Sequence, residues 1–175
     1  SRGLGDVYKR QVVAAALAGT FANGKGHTGA VEVTGNDYTA TELKTINAGT
    51  TGTISLDDTT AALSGDATDL AVALGGTFAN NKGHTGAVTV TSGTDYTVTE
   101  LKTINAGTTG TITFQDVTVA LSGDATDLAV ALAGTTNHNG AVTVTNASAY
   151  TATELQTINN GTCLLYTSPS PRDSC

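Results

Sequence analysis

The sequence repeats itself, and this repeat limits the possible folds more than any other feature. The segment LSGDATDLAVAL begins at Leu63 and again at Leu121, and the separation of these two positions defines the period. TELKTINAGTTGTI recurs at the same period, and a shortened third copy contains TELQTINNGT. Repetition at a fixed period is typical of arrays in which each unit completes its core only by packing against its neighbours.

Each period contains a second, weaker repeat. The segment T-E-L-K-T-I-N-A-G-T aligns with T-D-L-A-V-A-L-A-G-T in the other half of the period. The aligned leucines follow one another at nearly equal intervals, and they are Leu43, Leu70, Leu101, Leu128 and Leu155. We call this unit a coil, and its length of about 27–31 residues is typical of structural repeats.

Every coil has the same local pattern, which starts with a strand. Alternating β-branched residues predict short strands with one buried face. These runs are Val31–Val33, Ile54–Leu56, Val88–Val90, Ile112–Phe114 and Val142–Val144.

A short helix follows each strand. Its start is predicted by an N-cap oxygen with an acid three residues later, which is a capping-box pattern. The pairs are Thr39 and Glu42, Asp66 and Asp69, Thr97 and Glu100, Asp124 and Asp127, and Thr151 and Glu154. Its end is predicted by a glycine that tolerates positive φ, and these are Gly49, Gly76, Gly107, Gly134 and Gly161.

Stacking is the way such coils can become stable. Helices of about nine residues fall below the roughly 12–15 needed for marginal stability alone. Parallel strands joined through a helix cross over in the right-handed sense. The prediction is a right-handed α/β solenoid of strand–turn–short-helix coils, with a parallel sheet on one side. The alternative is a row of tandem small β-sandwich domains, one for each period.

The two ends differ from the interior. They read SRGLGDVYKRQ and CLLYTSPSPRDSC. Opposite strands of one oligonucleotide can encode both segments, and both resemble translated adapter sequence from sequencing libraries. We therefore expect residues 1–11 and 163–175 to be adapter-derived, disordered and outside the fold. The remainder is then an internal, metagenomic-type fragment of a longer array.

The expected array occupies residues 12–162. It divides into a partial coil, two full repeats and a partial third repeat, with boundaries at 12–19, 20–77, 78–135 and 136–162.

Charge narrows the choice of partners. The whole chain has net charge −7, and residues 12–162 carry four basic and thirteen acidic side chains without Cys or Pro. Nucleic acids and anionic membranes attract clustered Lys and Arg, so neither is expected as a partner. No apolar run is long enough to insert into a membrane.

Metal binding has weak candidates. Asp57, Asp58 and Asp116 lie in predicted turns and could offer oxygen ligands to calcium. The calcium-binding nonapeptide GGxGxDxUx is absent, and the alternative is that these carboxylates stabilise the turns. No cofactor other than calcium is suggested.

Outward-facing threonines are the best candidate for a binding face. If the strand valines point inward, their threonine neighbours point outward and stack as ladders. Such T-x-T ladders resemble the ice-facing surfaces of β-solenoid antifreeze proteins, although Thr is also a good exposed strand residue. The candidates are Thr53, Thr89, Thr91, Thr111, Thr113, Thr143 and Thr145.

Other recurring polar residues have structural interpretations. His27, His84 and His138 recur in short glycine-containing loops and are predicted to be solvated. Asn47, Asn105 and Asn159 precede the helix-ending region and are predicted to bond turn backbone.

No sequence motif for catalysis is present. The repeat units resemble those of very large secreted or surface proteins of marine bacteria. That resemblance implies a non-catalytic structural or adhesive spacer segment at the cell surface or outside the cell. Its expected partners are neighbouring repeats and, through the threonine face, glycans, other ligands or ice.

Overall fold

The chain is a mixed α/β protein with small parallel sheets. The computed structural model describes residues 13–19, 26–79, 83–91, 95–145 and 150–162. The expected adapter-derived ends at 1–11 and 163–175 lie outside these residues. The described strands are β1 (Val31–Val33), β2 (Ile54–Leu56), β3 (Leu63–Gly65), β4 (Val88–Val90), β5 (Ile112–Phe114), β6 (Leu121–Gly123) and β7 (Val142–Val144). A helical stretch at residues 13–17 precedes them. The helices that follow are α1 (Ala40–Gly49), α2 (Ala67–Leu74), α3 (Val98–Gly107), α4 (Ala125–Leu132) and α5 (Ala152–Gly161).

All five strands predicted from alternating residues are confirmed, with the same bounds. The sequence did not predict β3 and β6, each of which reads Leu-Ser-Gly. Three residues with one apolar side chain carry no alternation, so these strands exist because a neighbouring strand pairs with them.

The paired strands follow one another in the chain and run parallel. They form a sheet of β1 and β2, a sheet of β3, β4 and β5, and a sheet of β6 and β7. Single bridges extend two of the sheets, from Ile54 to Phe78 and from Ile112 to Thr135. The parallel arrangement is as expected, but the described strands form three short sheets and not one continuous sheet.

The helices pack against their neighbours in chain order. The extensive helix contacts join α1 to α2, α2 to α3, α3 to α4, and α4 to α5. Their buried faces meet the strand side chains in one core, where Leu43, Leu70, Leu101 and Leu128 are fully buried. The aligned Leu155 of α5 is 40% exposed.

The expectation for the helix-ending glycines is wrong at most positions. Of these five, only Gly134 has positive φ, at 89°. Gly49, Gly107 and Gly161 are the last residues of their helices and are followed by an extended threonine. A Cβ on Gly107 would lie 2.2 Å from the carbonyl oxygen of Leu74. Glycine is therefore required at this position because the preceding coil packs closely against it, and not because the backbone has a positive φ.

The alternative of tandem β-sandwiches does not describe this chain. Sandwich domains of that kind consist of two packed antiparallel sheets. The described part of the chain has parallel strand pairs and a helix after each of β1, β3, β4, β6 and β7.

Candidate functional site

The predicted helix caps are confirmed as N-caps. In the helices α1 to α5 the cap side chain accepts a hydrogen bond from the backbone N–H three residues later, and the cap residues are Thr39, Asp66, Thr97, Asp124 and Thr151. The three threonine caps form complete capping boxes with Glu42, Glu100 and Glu154. At the first, Glu42 N–H donates to Thr39 Oγ1 over 3.2 Å, and Thr39 N–H donates to Glu42 Oε2 over 2.9 Å.

At each of the two aspartate caps, only half of the capping box forms. Asp69 and Asp127 do not return a hydrogen bond to the cap backbone, since their side chains are one methylene shorter than glutamate. Each one pairs with a lysine of the preceding helix, Asp69 with Lys44 and Asp127 with Lys102. These side chains therefore link two coils, a role that the sequence did not predict.

Two of the three box glutamates, Glu100 and Glu154, also bond to the preceding helix. Thr68 Oγ1 donates to Glu100 Oε1 over 2.7 Å, and Thr126 Oγ1 donates to Glu154 Oε1 over the same distance. Burial opposes ionisation of Glu100, but hydrogen bonds from Thr68 and Thr97 hold its pKa below the ordinary value. The bond from Thr126, with those from Thr151, lowers the pKa of Glu154. Both carboxylates are therefore occupied in structural bonds as anions.

The recurring asparagines have structural roles. Asn47 Nδ2 donates to the carbonyl of Val72 over 2.6 Å, and Asn105 Nδ2 donates to that of Val130 over 2.8 Å. The prediction of backbone bonding is confirmed at these two positions. In these two bonds the partner is the backbone of the next helix, which the sequence did not predict.

The predicted threonine face is brought together only in part. Thr89 and Thr113 lie opposite each other in β4 and β5, with their Oγ1 atoms 3.3 Å apart. Ser64 extends this row on one side, and Thr143 pairs with Ser122 in a separate sheet. The remaining candidates flank the strands, and they are Thr53, Thr91, Thr111 and Thr145.

Exposure of the threonine candidates is uneven. Thr111, Thr143 and Thr145 are exposed, whereas Thr89 and Thr113 are half-buried. In the first sheet the corresponding row consists of Glu32 opposite Ser55. The described residues therefore present short hydroxyl rows on separate sheets and not one uninterrupted ladder.

The calcium candidates serve as turn acceptors. Asp58 Oδ1 accepts from Thr60 N–H over 2.7 Å and from Thr60 Oγ1 over 2.6 Å. Asp116 repeats this pattern with Thr118 at 2.9 and 2.7 Å. Those hydroxyl bonds lower the pKa of both carboxyls. Asp57 is exposed, and the described residues contain no group of three or more His, Cys, Asp or Glu side chains that could hold a metal ion.

The prediction for the histidines is wrong in two of three loops. His27 is exposed as expected, but His84 and His138 have no exposed surface. His84 Nε2 lies 2.7 Å from the carbonyl of Ala61, and His138 Nε2 lies 3.0 Å from that of Val119. Because both carbonyls belong to the preceding coil, the local loop pattern could not show this burial.

Open grooves recur on the helix side. One of about 510 Å³ lies between the C-terminal ends of α2 and α3, and an equivalent of about 320 Å³ lies between residues 17–19 and α1. The titratable side chain in each lining is a lysine, Lys102 or Lys44, already paired with an aspartate of the following helix. These grooves therefore bring together no pair of side chains suited to acid–base catalysis.

Searches against protein-family models, curated proteins and solved structures found no match. None of the helices within the described ranges combines the length and apolar character that a membrane span requires.

Proposed function

We propose that this chain is a non-catalytic structural segment, built as a right-handed α/β solenoid, that serves as a spacer or adhesive stalk in a large extracellular protein. The observation that carries this proposal is the order of the helix contacts. Each of α1 to α5 packs extensively on the helix next to it in the chain. Such nearest-neighbour packing lets an array grow by adding coils, with stability roughly additive over adjacent units.

The bonds between coils support the proposal. The pair of Lys44 with Asp69 recurs one period later as Lys102 with Asp127. The asparagine bonds to the next helix and the threonine bonds to Glu100 and Glu154 also recur from one repeat to the next. The polar side chains that recur most regularly are thus used to join coils, which is the requirement of a spacer.

The extracellular setting is supported by composition. The expected array is acidic and has no cysteine. Such a segment has no thiol to oxidise or mispair outside the cell. The resemblance of its units to repeats of large secreted proteins points in the same direction.

Small-angle X-ray scattering tests the spacer function. A second copy of residues 78–135 is inserted after residue 135, which adds two coils in register. Strands stack at about 4.8 Å and helices at about 8–10 Å, so the maximum dimension should grow by about 10–20 Å. The radius of gyration of the cross-section should stay constant.

A matched control separates elongation from simple growth. A Gly/Ser linker of the same length, inserted at the same point, should make the molecule more flexible without lengthening it as a rigid rod. An inserted repeat that enlarges the cross-section and leaves the length unchanged contradicts the proposal.

A second candidate function is binding through the threonine rows, to a glycan, another ligand or ice. It is favoured by the adjacent hydroxyls of Thr89 and Thr113. The test is a double Thr89→Lys/Thr143→Lys variant in ice-recrystallisation and glycan-array assays, with Thr99→Lys on the helix side as control. Binding that is lost in the double variant but kept in the wild type and the Thr99→Lys control supports this function. Equal signals from the wild type, the double variant and the control exclude it.

A further inference from the structure

Two buried histidines hold the same contact in successive repeats. His84 and His138 precede β4 and β7, and neither has any exposed surface. Their Nε2 atoms meet the carbonyls of Ala61 and Val119, in the segments that join β2 to β3 and β5 to β6. Each ring therefore fastens the start of one strand to the loop of the preceding coil.

The contact fixes which nitrogen carries the hydrogen. A carbonyl oxygen only accepts, so Nε2 is the donor and Nδ1 of the neutral ring is an acceptor. His84 Nδ1 lies 3.0 Å from Thr108 Oγ1. His138 Nδ1 is buried and has no hydrogen-bond partner in the described part of the chain. These contacts accommodate a neutral ring, and at His138 the described residues offer no acceptor for a second ring hydrogen.

The surroundings are aromatic and do not supply a counter-ion. The ring of Tyr38 packs edge-on against the ring of His84, with the ring centroids 6.3 Å apart. The ring centroids of Tyr96 and Phe114 lie 6.1 and 5.7 Å from that of His138. Burial raises the pKa of Tyr96 to about 12, so this side chain stays neutral. The carboxylates on the elements around the two rings are Asp37, Asp57 and Asp58 for His84, and Asp95 and Asp116 for His138. No carboxylate forms an ion pair with either ring within the described residues.

We propose that His84 and His138 are acid-sensitive latches that hold consecutive coils together and release them when the rings take up a proton. The latches depend only on contacts between neighbouring coils. They therefore operate whether or not the chain acts as a spacer.

Proton linkage gives the direction of the effect. Burial lowers the pKa of His84 and of His138, although the carbonyl bond partly opposes this in each ring. In the unfolded chain a histidine has a pKa of about 6.5, so below that pH the unfolded state binds more protons. The unfolding equilibrium constant should therefore rise by up to about tenfold per pH unit for each ring as pH falls below about 6.5.

The two latches should differ in strength. If His84 Nδ1 is protonated, it can donate a hydrogen bond to Thr108 Oγ1. The Thr108 hydroxyl then donates its own hydrogen to the His84 carbonyl oxygen 3.2 Å away. A proton on His138 Nδ1 would be a buried donor without a partner, which is costly. Acid should therefore open the third repeat before the second.

The test combines NMR titration with urea unfolding of the full chain at pH 7.5 and 5.5. The variants are His84→Gln and His138→Gln, since glutamine can still donate to the loop carbonyl. His27→Gln is the matched control, because His27 lies in the equivalent loop of the preceding repeat and is exposed. Each buried-site variant should reduce the acid-induced rise of the unfolding constant by up to about tenfold, and the control should reproduce the wild type.

Two results would overturn the proposal. One is that the ring signals of His84 and His138 in the wild type titrate at the ordinary value of about 6.5. The other is that both glutamine variants fold and keep the wild-type dependence on pH. If a glutamine variant does not fold, the wild-type NMR titration decides alone.

Discussion

At Thr97 the hydroxyl and the backbone N–H both bond to residue 100. Thr97 Oγ1 accepts from Glu100 N–H over 3.3 Å, and Glu100 Oε2 accepts from Thr97 N–H over 2.9 Å. These bonds satisfy backbone donors that a helix start leaves unpaired. The cap was predictable from the sequence because it depends on two residues only three positions apart.

Thr97→Ala should lower the free energy of unfolding by about 1 kcal/mol, within the 0.5–2 kcal/mol typical of a lost N-cap. Urea denaturation measures this. The control is Thr99→Ala, which changes an exposed residue in the first turn of the same helix and should stay within about 0.5 kcal/mol of wild type. Equal losses in the two variants would show that the cap contributes nothing specific.

The histidines show where residue-scale prediction failed. Burial of His84 depends on Ala61 in the preceding coil and on Thr108 in the following one. No local pattern contains that information. One signal was available: the histidine persists as His138 even where the third copy shortens the loop to TNHN. A residue kept while its loop is cut is more typical of a packed side chain than of a solvated one.

At the scale of elements, helices and strands were predictable to different degrees. Helix positions followed from caps and leucine spacing, both local. The strand β3 was not predictable, because Leu63 to Gly65 becomes a strand through pairing with Val88 to Val90. The division into three sheets is likewise decided by pairing between coils, which a strand pattern three residues long does not encode.

The helix-ending glycines give a test of packing between elements. Gly107→Ala places a Cβ 2.2 Å from a backbone oxygen of α2, and overpacking of this kind costs about 1–3 kcal/mol. Elsewhere in a helix the same change usually stabilises by roughly 1 kcal/mol, so a loss identifies the clash. Thermal or urea unfolding measures it.

Gly123→Ala is the matched control for this packing test. Its new Cβ would lie 3.7 Å from the nearest side chain, an ordinary contact. This variant should keep nearly the stability of the wild type. If Gly107→Ala is as stable as Gly123→Ala, the coils do not pack as closely as described.

At the scale of the whole molecule, the last described coil differs from the interior ones. Tyr38 and Tyr96 are each 2% exposed, whereas the aligned Tyr150 is 47% exposed. In the interior coils, the following coil covers the aligned tyrosine. Leu155 of α5 is also 40% exposed, whereas the aligned Leu101 of α3 is fully buried, so α5 buries less apolar surface than α3.

Hydrogen exchange should therefore distinguish two helices of nearly identical sequence. Amides of α5 should exchange faster than the equivalent amides of α3, because opening α5 exposes less buried apolar surface. The comparison is internally controlled, since the two helices share T-E-L-x-T-I-N-x-G. Equal protection along both helices would contradict nearest-neighbour stabilisation.

The proposed solenoid requires that the coils follow one another in a line. Spin labels report this directly when cysteines replace the second residue of α1, α3 and α5, all exposed: Thr41, Thr99 and Thr153. Cys163 and Cys175 are changed to Ser, and pulsed electron–electron double resonance measures the distances between the labels. Helix and strand spacings predict about 10–20 Å for Thr41 to Thr99, and about twice that for Thr41 to Thr153. Equal distances for the two pairs would show a closed packing of helices and would contradict the linear array.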